Sequence, residues 1–236
     1  MNSTLQRREL GHSFMLQSEL PAELLAQCLQ MTDRLLATAE QDVDYSRRLA
    51  GRFERGQQLS LPRARYDRGT PLADHLNTLA REFVSRYLSD VARDQGTPQE
   101  WVMPGDPRAL LEQTDCEVND MWVVSQREGD YNPPHRHFGR SPCMLSGVTY
   151  LSVPDAVGNG GMDGSIRFSW GQRVIFDISS FTRPEHWVIR PQTGMVLLFP
   201  AHLVHEVFPF RGDAERRSLA FNINVWCSAI PFLQRR

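Results

Sequence analysis

GMVLLFPAHLVHEVFPFRGDAERRSLAFNINVW, residues 194–226, holds the pattern that decides the fold class. Met195 to Leu198 are four consecutive apolar residues, closed by Phe199–Pro200. A run that short, bounded by Gly and Pro, reads as a buried strand rather than a helix. The second run, from Arg216 to Trp226, alternates instead: Phe221 and Ile223 interleave with Asn222 and Asn224. Period-two alternation belongs to a strand with one covered face. Nothing between the two runs has helical period.

The same texture extends back to about Cys116. EVNDMWVVSQ, CMLSGVTYLSV, GSIRFSW, QRVIFDI and HWVIR are short β-branched and aromatic runs separated by Gly, Pro, Asn and Asp clusters. Many short strands without intervening helices predict an antiparallel sandwich or barrel. The Gly-rich stretch DAVGNGGMDG, residues 155–164, reads as a flexible connector rather than a mobile lid.

Residues 1–110 read as a helical portion. SELPAELLAQCLQMTDRLLATAEQ carries apolar residues at helical spacing, with Ser18 as expected N-cap and Pro21 in the first turn. A second helix is expected over PLADHLNTLAREFVSRYLSDVAR, opened by Thr70, with Leu72, Leu76, Leu79, Phe83, Tyr87 and Leu88 on one stripe. Residues 44–69 between them read as irregular. The expected fold is mainly β in one domain, 1–236: helices from residues 1–110 packed on one sheet of a β core spanning 111–230.

Composition excludes several chemistries. All 26 basic residues are arginine, and there is no lysine. A Schiff-base lysine, a lysine base and a phosphate-binding P-loop lysine are therefore impossible. An anionic ligand must be held by arginine, backbone N–H groups or a metal. The net charge of −2 gives no basic field for nucleic acid. No apolar run is long enough for a membrane helix, and the first residues, MNSTLQRREL, lack a signal-peptide core. Cys28, Cys116, Cys143 and Cys227 are widely spaced and read as buried thiols of a cytoplasmic protein. A homodimer through the helical portion is possible, but nothing in the sequence requires one.

Three segments carry candidate chemistry. In GDYNPPHRH, residues 129–137, Pro133–Pro134 enforce an extended backbone. His135 and His137 then share a face, as two ligands of one metal would. In the quoted stretch His202 and His205 follow the buried strand; either could add a third ligand, and a surface role suits His202 better. In ERRSLAFNINVW, Arg216 and Ser218 share one face and Arg217 takes the other. An arginine and a hydroxyl at i and i+2 can clamp a carboxylate. Asn132, Tyr131 and Tyr150 are candidate hydrogen-bonding neighbours, as is Asn222. Trp122 reads as core or substrate wall, and Asp130 as a turn residue or spare carboxylate.

These phrases together resemble the Fe(II)/2-oxoglutarate-dependent oxygenase superfamily, and within it a small bacterial and phage branch. They read His135-Arg136-His137, SGVTYL at 146–151, PQTG at 191–194, FPAHLVH at 199–205 and RRSLAFN at 216–222. The resemblance covers about residues 116–226 and implies a double-stranded β-helix, or jelly roll. It implies Fe(II), 2-oxoglutarate and O2 as cofactors, and a dioxygenase that hydroxylates or otherwise oxidises a small molecule or peptide. By position, His135 and His205 become metal ligands and also catalytic residues. Arg216 and Ser218 become the 2-oxoglutarate anchor, with Asn132, Tyr150 and Asn222 beside it and Trp122 and Tyr131 toward substrate. The superfamily usually has a carboxylate where this chain has His137. Either His137 is a neutral third ligand, or that position stays open. Two other readings remain: a cupin-type three-histidine dioxygenase without 2-oxoglutarate, and a non-catalytic jelly-roll binding protein. Against the cupin reading, the usual downstream Glu and PxGxxH phrase are absent.

Overall fold

The computed structural model describes residues 5–10, 13–38, 49–93, 106–137, 143–157, 161–170, 185–230 and 233–235. The expected strand QRVIFDI and part of the 155–164 connector lie outside them. Eleven strands and three α-helices are described: β1 Gln6–Leu10, β2 Ser13–Glu19, α1 Ala22–Ala37, β3 Gln57–Ser60, α2 Pro71–Arg93, α3 Pro107–Glu112, β4 Thr114–Gln126, β5 Asn132–His135, β6 Cys143–Ser152, β7 Ile166–Ser169, β8 His186–Ile189, β9 Met195–Pro200, β10 Val204–Val207 and β11 Arg216–Cys227. They form a seven-stranded sheet, β1-β2-β9-β6-β11-β4-β3, and a four-stranded sheet, β5-β10-β7-β8. All described pairings are antiparallel.

Two cores follow from strand alternation. On β11, Leu219, Phe221, Ile223 and Val225 face α1 and α2, joining Leu24, Leu76 and Phe83. Met195, Leu197 and Phe199 of β9 face the small sheet and join Ile166 and Phe168, while Val196 and Leu198 face the helices. Every residue of β9 is buried, because the strand is covered on both faces. The apolar run that sets the fold class is thus the strand shared by both cores.

The first 110 residues contribute strands as well as helices. β1 and β2 extend the large sheet from β9, and β3 caps its other edge on β4. Ser18 lies inside β2 rather than capping a helix, and Pro21 occupies the N-cap of α1. The physical reason is non-local: the Leu16–Glu19 backbone finds partners in β9, about 180 residues away in the chain, which no local pattern announces. The irregular reading of 44–69 gives way to β3 and a one-turn 3-10 helix at Arg63–Arg65. α2 starts where Thr70 predicts, and the Thr70 hydroxyl accepts from Ala73 N–H at 3.4 Å. Its buried stripe omits Tyr87, which is 45% exposed. Cys28, Cys116 and Cys227 are buried free thiols. Among the described residues no helix is long and apolar enough to cross a membrane.

Candidate active site

The open end of the sandwich is a cavity of about 620 Å³ between the sheets. β5 and β10 are antiparallel neighbours, and His135 and His205 face each other in that register. Their ring centroids are 4.3 Å apart. His137 follows β5, held by its N–H donating to the Ala201 carbonyl at 2.9 Å. Its ring centroid is 5.4 Å from His135 and 5.2 Å from His205. The structure therefore brings His137 to the other two. His202 is exposed and lies outside this cavity.

The tautomers follow from the oxygen atoms around each ring. His135 Nδ1–H donates to the Pro133 carbonyl at 2.8 Å, and His205 Nδ1–H to the Leu203 carbonyl at 3.0 Å. His137 Nδ1–H donates to Asn222 Oδ1 at 2.8 Å. With every Nδ1 protonated, every Nε2 keeps its lone pair. One ligand atom from each residue lies within 4.8 Å of the others. Burial holds all three imidazoles below their ordinary pKa: His137 is lowered to about 4, and His205 is pushed well below its ordinary value. Three neutral, converging nitrogen donors suit a divalent transition metal.

The other end of the cavity is cationic. Arg216, 2% exposed, projects from β11 into the interior, and its guanidinium donates to the Gly164 carbonyl. No carboxylate pairs with it among the described residues, and its Nε has no hydrogen-bond partner there. Tyr150, 1% exposed, lies below the guanidinium, 5.8 Å from ring centroid to Arg216 Cζ, and its hydroxyl is also without a partner. Burial pushes the Tyr150 pKa up to about 12, so the phenol stays protonated and can donate. Ser218 lines the same wall. An isolated buried charge costs several kcal/mol unless paired. A carboxylate in this pocket satisfies both the charge and the orphan donors. Arg217, on the opposite face, pairs instead with Glu215 at 2.7 Å and with Asp33 of α1 at 2.5 Å.

The remaining candidates divide. Trp122 is buried, lines the cavity and stacks on His137 with ring centroids 5.9 Å apart. Asn132 lines it too, and its Oδ1 accepts from Gln126 Nε2 at 3.2 Å. Tyr131 does not: alternation turns it away from Asn132, its backbone pairs with Arg52, and it is 39% exposed. Asn222 lines the cavity, but its carbonyl is engaged by His137 rather than open to a cosubstrate. Asn224 is buried outside the cavity, beyond a register shift between β11 and β6. Asp130 is structural, accepting from the backbone N–H groups of Glu54, Arg55 and Arg127. Sequence reasoning missed Gln126 and the role of Ser146. Both emerge only from cross-strand register, Gln126 facing Arg216 and Ser146 facing Asn222.

Residues 120–222 match the profile of a family described as "Putative 2OG-Fe(II) oxygenase". Over this segment, a little under half of the chain, the sequence is similar to that family of oxygenases. The matched segment holds all three histidines, Arg216 and Ser218. Among solved structures, the chain is similar to AviO1 from Streptomyces viridochromogenes Tue57, at 13% identity and TM-score 0.53, covering 94% of this chain and 91% of that one. It is also similar to a prolyl hydroxylase from Trichoplax adhaerens, solved with a hypoxia inducible factor oxygen degradation domain peptide fragment (15% identity, TM-score 0.50, 89% and 82% covered). A third is the non-heme alpha ketoglutarate dependent carbocyclase SnoK from nogalamycin biosynthesis (10%, 0.50, 90% and 81%). At these identities the likeness establishes the fold, the double-stranded β-helix. No curated protein matches. The family's cofactors are Fe(II), 2-oxoglutarate and O2, and the histidine cluster and buried arginine fit the first two.

Proposed function

We propose that this protein is a dioxygenase that couples oxidative decarboxylation of 2-oxoglutarate to hydroxylation, or a related oxidation, of a small molecule or peptide. One observation carries the reading: three imidazoles each bring a ring nitrogen within 4.8 Å of the others, in the cavity that also buries an arginine with no carboxylate partner among the described residues. His135, His137 and His205 are the metal ligands. Arg216 is the anchor for the distal carboxylate of 2-oxoglutarate, donating through its guanidinium. The Ser218 and Tyr150 hydroxyls add neutral donors to that carboxylate. When bound, Fe(II) and 2-oxoglutarate supply the O2-dependent oxidation, with succinate and CO2 as coproducts.

The chain's own part is placement. Neutral imidazoles need lose no proton to bind the metal, so the site is ready at pH 7. Phe168 and Phe199 flank His205 at 5.9 and 4.9 Å between ring centroids and keep that side dry. Low local dielectric strengthens the Arg216–carboxylate pair. Trp122 forms a flat wall beside His137 on which a substrate can rest. One fold neighbour was solved with a peptide fragment and another comes from nogalamycin biosynthesis, which supports either substrate size. The cupin and binding-only readings draw no support from the family match.

The test is succinate release after anaerobic loading with Fe(II), followed by 2-oxoglutarate and O2. Succinate should form only with both present and should vanish in Arg216→Ala. Failure of wild-type protein to bind 2-oxoglutarate in calorimetry would sink the reading.

A further inference from the structure

A carboxylate ligand can turn either oxygen to a metal, but a neutral histidine binds only through the nitrogen that lacks a proton. Placing His137 where the family pattern has an acid therefore creates a need: something must hold the proton on Nδ1. Asn222 on β11 does this. Its Oδ1 accepts from His137 Nδ1–H at 2.8 Å and from the Ser146 hydroxyl at 3.1 Å. Ser146 lies 3.3 Å from the same His137 nitrogen and 3.3 Å from the Phe221 carbonyl. Asn222 and Ser146 are register partners on adjacent strands, so the sheet fixes both against the ring.

We propose that Asn222, supported by Ser146, is the positioning residue that makes His137 a metal ligand, by selecting its Nε2-free tautomer and ring orientation. This rests on the function proposed above. The reverse amide orientation would place N–H donors against Nδ1, move the imidazole proton to Nε2 and block ligation. Asn222 is also uncharged. A carboxylate there would push electron density into the imidazole, whereas the amide orients it and leaves the metal with three neutral ligands.

Co(II) alone is the probe, titrated into the full chain and read by its visible absorption bands. Leu and Asp both match Asn in shape, so a packing role predicts that Asn222→Leu and Asn222→Asp behave alike. The proposal predicts that Asn222→Leu weakens Co(II) binding about 10–100-fold and shifts the bands. Asn222→Asp, which keeps an oxygen acceptor, should bind at least as tightly as wild type. Equal affinity and spectra in Asn222→Leu and wild type would overturn it. A second measurement needs no variant: nitrogen NMR of the metal-free protein should show His137 protonated on Nδ1, and protonation on Nε2 would overturn the proposal. A wild-type chain that binds neither Co(II) nor Fe(II) would instead refute the functional reading on which it rests.

Discussion

Arg216 and Arg217 are adjacent, yet one points into the cavity between the sheets and the other toward α1. Their substitutions should separate accordingly. Arg216→Met removes a buried charge that has no carboxylate partner among the described residues, so calorimetry should show 2-oxoglutarate binding weakened by at least about 100-fold. The same variant should unfold within a few degrees of wild type, since a buried charge is weak support for a fold. Arg217→Ala breaks the contacts to Asp33, Thr32 and Glu215, and should cost about 1 kcal/mol in denaturant titration while 2-oxoglutarate affinity stays constant. Equal loss of binding in both variants would contradict the assignment. The histidines add a pH dependence. Their folded pKa values lie below the unfolded value near 6.5, with His137 at about 4. Above that unfolded value both states are neutral and nothing is lost. As pH falls below it, the unfolded chain takes up protons that the native cluster refuses. The metal-free protein should therefore lose about 1–3 kcal/mol between pH 7.5 and 5, measured by urea titration with chelator present.

At the scale of the element, β6 shows how tightly the large sheet is built. Gly147 lies between β9 and β11, and a Cβ there would sit 2.3 Å from the Phe221 ring and 2.7 Å from the Leu197 carbonyl. The carbonyl belongs to a ladder and cannot retreat. Gly147→Ala should cost about 1–3 kcal/mol and lower the melting temperature by several degrees, read by calorimetry. β11 and β9 were legible because alternation and continuous apolarity are local signals. Thr70 and Pro71 likewise announced α2. β1, β2 and β3 were not legible: each is a strand only because a neighbour offers it an edge, β2 for β1, β9 for β2 and β4 for β3.

Across the whole molecule, the two sheets should differ in stability. β11, β6, β4 and β9 are central, long and backed by the helices, whereas the four strands of the small sheet have four residues each. Hydrogen exchange should be slowest in the large sheet and faster in the small one. Two of the three histidines lie on β5 and β10. Adding Zn(II) should therefore slow exchange chiefly in β5 and β10, tying the small sheet to the region around His137. Unchanged exchange there after Zn(II) binding would place the metal elsewhere.

The sequence by itself determined the β class, the pair of helices, the facing of Arg216 against Arg217, and which histidines were candidates. Those properties repeat every two or about four residues and need no partner. Only the tertiary structure decided that His137 joins His135 and His205, that Tyr131 stands outside, and that Asn222 and Ser146 serve His137. Each depends on which strands lie side by side and in what register. That register is set by burying two cores at once, a condition on the whole chain that no short stretch contains.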